Sequence, residues 1–149
     1  MLLADTSSGV YQLLLILHIL AVIVAFAPAI VSPLTTNRLQ GEQGAMRSYS
    51  TAGSANTRSV YLPALVVVGV LGFALVGLSG GAFEFSDPWV SAAALLWLII
   101  AAVVGAVIMP AERLVGAGDA GAASKLRAGS GVVTLLLVVV LFLMVVKPG

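Results

Sequence analysis

The sequence has no cysteine, one histidine and very little charge. Without cysteine there is no disulfide, no thiolate metal site and no thiol nucleophile. With His18 as its one imidazole, the chain has no HxxxH metal pair and no Ser/His/Asp arrangement. No phosphate-cradling loop or pair of buried carboxylates can be read from it either, so an enzyme is not expected. Charged residues are 9% of the chain, against about 25% in a soluble domain whose surface must face water. A formal net charge of +1 provides no basic surface for a nucleic acid. Residues 1–12 contain Asp5 and no Lys or Arg, so the basic leader of a cleaved signal peptide is missing. The apolar stretch that follows is expected to be a retained helix.

What the chain does have is apolar length: 60% of its 149 residues are hydrophobic. Four apolar stretches stand out, at 11–34, 60–78, 88–110 and 128–146. A spanning helix needs about 20 such residues, and lipid forces each segment to satisfy its own backbone. The run 64–77 (ALVVVGVLGFALVG) does not alternate, which argues against a barrel strand. The expectation is one all-α domain over 1–149, a four-transmembrane-helix bundle of two hairpins. The fourth helix is the shortest and needs Ala128–Ser130 and a snorkelling Lys147 to reach the boundary. Residues 35–59, rich in Ser, Thr, Gly and Asn, read as a connection with no fold of its own, holding at most a short interfacial helix around 38–47.

Punctuation supports these limits. Asp87-Pro88-Trp89 reads as a cap, a first-turn proline and an interfacial aromatic. Pro63 is expected in the first turn of the second helix, and Pro33 and Pro110 where the first and third leave the membrane; Pro28 would kink the first. Arg38, Arg47 and Arg58 lie in the first connection and Arg113, Lys125 and Arg127 in the third, whereas only Lys147 lies on the other side. The positive-inside rule then puts both of these connections in the cytoplasm. Both termini and the acidic connection with Glu84 and Asp87 face outward. A weak internal echo, AIVSP before Arg38-Leu39 and AVIMP before Arg113-Leu114, suggests a diverged duplication.

His18 is the first candidate for chemistry, because an ionisable group inside a membrane is costly. Ala21, Ala25, Pro28 or Ala29, and Ser32 share its face, so His18 should point into the bundle. It could be a hydrogen-bonding packing residue, a proton relay, or a ligand to haem or copper. A second ligand would be Met144, in the same leaflet, or a second His18 across a symmetric dimer; Met109 lies near the opposite face. Packing is the simpler reading of His18. Gly69, Gly72, Gly77, Gly80 and Gly81 suggest close helix approach or, alternatively, an oligomeric channel or transporter. Ser130 and Thr134 could hydrogen-bond across helices or to their own backbone. Asp5, Glu84 and Asp87 read as solvated, and Glu112-Arg113 as a boundary pair.

Three segments carry a family likeness: LLLILHILAVIVAFAPAIVSPL, WLIIAAVVGAVIMPAERL and LFLMVVKPG. Together they resemble a bacterial, mainly actinobacterial, family of four-helix integral membrane proteins of unknown function. The opening around His18 also looks like CopD-type copper-resistance membrane proteins, which carry more potential metal ligands than this chain. The resemblance implies a multi-pass protein of the cell membrane in contact with the lipid bilayer and leaves its function open; the small-residue helix faces and the lack of reactive groups point to a scaffold or complex subunit. Its partner would be a second copy of itself or another membrane protein, with no resident cofactor.

Overall fold

The computed structural model describes residues 8–148, so Asp5 and Gly149 lie outside the described residues. Among the described residues all regular secondary structure is helical, with six α-helices and two π-turns. α1 is Gly9–Arg38, α2 Gln43–Asn56, α3 Leu62–Gly77, α4 Pro88–Val103, α5 Met109–Gly116 and α6 Ala122–Val146. A π-turn at Thr57–Tyr61 joins α2 to α3, and another at Val104–Ile108 joins α4 to α5. The result is four helices long and apolar enough to cross a membrane: Gly9–Arg38, Gln43–Gly77, Pro88–Gly116 and Ala122–Val146.

The helices are longer than their apolar stretches. No open connection occupies 35–59. α1 runs to Arg38, a short turn follows, and 43–56 is helical up to the π-turn. The short helix considered around 38–47 is replaced by this longer one. α2 lacks an apolar stripe and has no side-chain cap. Its helicity is explained by continuity with the second span and by packing of Met46 against Val115 and Ala122. Likewise the third helix continues past Pro110 to Gly116, and the fourth begins at Ala122 and not at 128. The second span is about 50 Å long at 1.5 Å per residue, well beyond a hydrocarbon core of about 30 Å. Its polar part, α2, therefore forms with α5 an extension at one end of the bundle.

Pro63 does fall in the first turn of α3, as expected, but that turn continues a 35-residue helix through a π-turn, and Pro110 stands likewise in the first turn of α5 behind the other π-turn. A helical proline has no N–H, and its ring crowds the carbonyl four residues back. Widening the preceding turn relieves both, and the amides of Leu62 and Met109 bond the carbonyls of Thr57 and Val104, five residues back. Asp87 does stand at the N-cap of α4 with Pro88 behind it, but its carboxylate accepts from the Glu84 amide and not from the helix.

The spans run up and down. His18 lies against Gly72, while Ala25 and Phe26 join Leu65 in the core, so α1 and α3 are antiparallel. Lys147 at the end of α6 places its Nζ 4.2 Å over the Phe83 ring, in the connection before α4. Arg38, Arg47, Arg58, Arg113, Lys125 and Arg127 thus gather towards one end, and Lys147 marks the other. Large side chains such as Leu13, Ile16, Ile23, Val70, Leu98 and Leu135 stand exposed on the outside, as lipid-facing helices require. Between the spans the core comprises Ala25, Phe26, Ala29, Leu65, Val68, Ile100, Val133 and Leu137.

Candidate functional site

The small residues of α1 do face inward: His18, Ala25, Ala29 and Ser32 are buried, with Ala21 and Pro28 half-buried beside them. This lets α1 approach α3 closely enough for His18 to hydrogen-bond the backbone of Val68. Such a bond uses an imidazole N–H against a helical carbonyl. The remaining nitrogen, Nδ1, is buried without a partner. Gly72, one turn beyond Val68, makes room for the ring, and a Cβ there would meet His18 Cε1 at 3.4 Å.

From the other side Trp97 repeats the device. Its indole Nε1 donates to the carbonyl of Leu65 at 2.8 Å, and its ring lies directly on Gly69. A Cβ at Gly69 would fall on the ring atoms Cζ2, Cε2 and Cη2. Two glycines three residues apart therefore seat two nitrogen-bearing rings, each hydrogen-bonded to α3. Gly69 serves close packing here, and Gly77 has nothing within 4 Å of where its Cβ would be. Gly80 and Gly81, at φ 66° and 88°, shape the turn after α3, where a side chain would be strained.

Beside these rings lies a cavity of about 100 Å³, lined almost wholly by apolar groups from α1, α3, α4 and α6. His18 and Met144 both line it, together with Phe26, Phe73, Trp89 and Trp97. The structure thus brings the two candidate ligands of the sequence to one cavity. Met109 is elsewhere, at the basic end, with its sulfur 4.0 Å from Arg113 Nη2. Edge-to-face contacts of Phe73 with Trp97 and of Phe83 with Trp89 order the aromatic wall.

Other polar groups tie helices together. Thr134 Oγ1 reaches the Ala29 carbonyl across the interface and the Ser130 carbonyl of its own helix, so both expected geometries occur at one hydroxyl. Ser32 Oγ and Tyr49 Oη, 2.9 Å apart, join α1 to α2. Arg47 Nε donates to the Gly116 carbonyl at 2.8 Å, joining α2 to α5.

The sequence reading missed one group. Glu112 is no solvated boundary residue: it is 5% exposed, packed against α2 and hydrogen-bonded to Thr57. Its Oε2 and the hydroxyl of fully buried Ser50 have no partner. The signal was present as Met46, Ser50, Gly53 and Thr57, a stripe at helical spacing. It could not be read while 35–59 was taken as a connection. No family model, no curated protein and no solved structure matches this chain.

Proposed function

We propose that this chain is a non-enzymatic scaffold or complex subunit of a bacterial cell membrane, acting by association with a second copy or another membrane protein. The observation that carries this reading is His18. Its N–H is engaged with Val68 just as Trp97 is engaged with Leu65, which is the behaviour of a group that sets helix packing. The small-residue face of α1, with Ala25, Ala29 and Ser32 buried, supports the same reading. The basic end faces the cytoplasm on the positive-inside rule. Crosslinking in native membranes, followed by mild-detergent purification and mass analysis, tests the association. The chain should be recovered with itself or with a membrane partner. A protein that stays monomeric and alone at every concentration would overturn the proposal.

A second reading rests on one further observation: His18 Nδ1 has no partner, and Met144 lines the same cavity. An imidazole nitrogen with a thioether is a donor set for a soft ion such as copper(I). A space of about 100 Å³ suits an ion better than haem, because pockets for drug-sized ligands run to about 300–1,000 Å³. Metal analysis of the purified protein, with His18→Gln and Met144→Leu beside it, decides this reading. Stoichiometric copper lost in both variants supports it, and a metal-free protein that stays so after copper(I) is supplied rejects it.

A further inference from the structure

At the basic end of the bundle lies a second cavity, of about 640 Å³, that neither reading uses. We propose that it binds the phosphate of an anionic phospholipid headgroup, held between Arg47 of α2 and Arg127 of α6. The cavity opens between the turn at 39–42 and the turn at 117–121, and both arginines line it.

Helical spacing brings the two guanidinium groups to one place. Arg47 shares a face of α2 with Gln43 and Gly44, and Arg127 shares a face of α6 with Ala123; all five line the cavity. Met46 and Val115, packed together with Ala122, make its floor apolar. Glycine keeps the space open. Gly41 and Gly118, at φ 92° and 103°, turn the chain beside it, and a Cβ at either of them or at Gly44 meets nothing within 4 Å.

Charge, depth and size select the ligand. Arg47 Nε donates to the Gly116 carbonyl, which fixes the side chain and leaves both Nη groups free for an anion. Arg127 is half-buried and has no hydrogen bond or ion pair among the described residues. No acidic side chain lines the cavity. Asp119, in the flanking turn, accepts from the Gly121 amide, and Glu112 meets α2 further along, at Gly53. Two unneutralised guanidinium groups present the planar forks that suit phosphate. Their depth is that of lipid phosphate. Gly116, which holds Arg47, stands about 9 Å beyond Pro110 at 1.5 Å per residue, and Arg127 directly precedes the apolar stretch of α6. The headgroup layer occupies roughly 5–8 Å on each side of the hydrocarbon core. Basic pockets between spanning helices are established sites for acidic headgroups. A cavity of this volume exceeds what a bare phosphate ion needs, and its apolar floor suits the glycerol and first acyl carbons of a lipid.

The test is native mass spectrometry of the full chain in mild detergent, titrated with phosphatidylglycerol, with phosphatidylcholine or with inorganic phosphate. The expected result is one saturable phosphatidylglycerol per chain, with phosphatidylcholine bound at least about tenfold more weakly, a difference of roughly 1.4 kcal/mol. Arg127→Gln and Arg47→Gln should each weaken phosphatidylglycerol about tenfold. Gly44→Met, which puts a side chain into the open space on a helical backbone, should block it, so the proposal stays open to refutation even if Arg47→Gln loosens α2 from α5. Lys125→Gln and Arg58→Gln, at the same end but outside the cavity, should leave binding unchanged. Equal binding of the two lipids by folded protein would overturn the site. So would an equal loss in the Lys125 and Arg58 variants, which would mean attraction to a diffuse basic surface. Displacement of phosphatidylglycerol by equimolar inorganic phosphate would overturn the lipid assignment in favour of a soluble phosphate.

Discussion

Gly69→Ala adds one methyl group where the Trp97 ring already lies, so the indole must move. Overpacking of this kind costs about 1–3 kcal/mol. Moving the ring also breaks the 2.8 Å bond from Nε1 to the Leu65 carbonyl, and interhelical bonds in membranes average about 0.6 and reach roughly 1.7 kcal/mol. Alanine regains about 0.5–1 kcal/mol of helix preference over glycine. The net expectation is a loss of roughly 1–4 kcal/mol, read from equilibrium unfolding in mixed micelles with tryptophan fluorescence. Gly72→Ala is the built-in control. Its new Cβ would be 3.4 Å from His18 Cε1, an ordinary contact, so it should stay within about 0.5 kcal/mol of wild type. The double-mutant cycle isolates the cause. In a Trp97→Ala background Gly69→Ala should be neutral or slightly stabilising, giving a coupling of at least about 1 kcal/mol. A Gly69→Ala cost that persists undiminished without Trp97, or no cost at all in wild type, would refute the seating of this ring on this glycine.

Three further outcomes follow from the same geometry. Cytoplasm-dependent reporters fused after Arg47 or Lys125 should be active, and those at Glu84 or Gly149 silent; the reverse pattern would mean that the bundle is inverted. Thr134→Val, which keeps the shape and removes the hydroxyl that reaches Ala29, should cost about 0.6–1.7 kcal/mol in the same micelle assay; no change would show that this bond is idle. His18→Gln and His18→Asn should keep the fold and most of any complementing activity, and His18→Leu should cost up to about 1.7 kcal/mol. A correctly inserted His18→Gln protein with no activity would make the imidazole a ligand and not a packing group.

The number of spans, their helicity and the inward face of α1 were legible in the sequence, because lipid leaves a long apolar segment no other way to satisfy its backbone. The similar depth of His18 and Met144 was legible too, from their places in the first and last apolar stretches, whereas the cavity that both line came only from the packing of α1 against α3, α4 and α6. Composition misled at 35–59, where Ser, Gly and Asn suggested a loose connection. Those small residues are the close-packing surface of a helix, and what makes them helical is α5, a partner distant in the chain. Burial of Glu112 went unseen for the same reason, since nothing in Glu112-Arg113 itself distinguishes a solvated carboxylate from one covered by Gly53 and Thr57. Pro63 and Pro110 are alike in this. A proline announces a break in the hydrogen-bond ladder, but continuous helices on either side decided that the break is a π-turn and not an end. The sequence alone determined that this chain belongs in a membrane as four helices, since burial in lipid is settled segment by segment. Only the tertiary structure decided which ring lies on which glycine and which carboxylate is shut away, because those depend on the register between helices that no single segment contains.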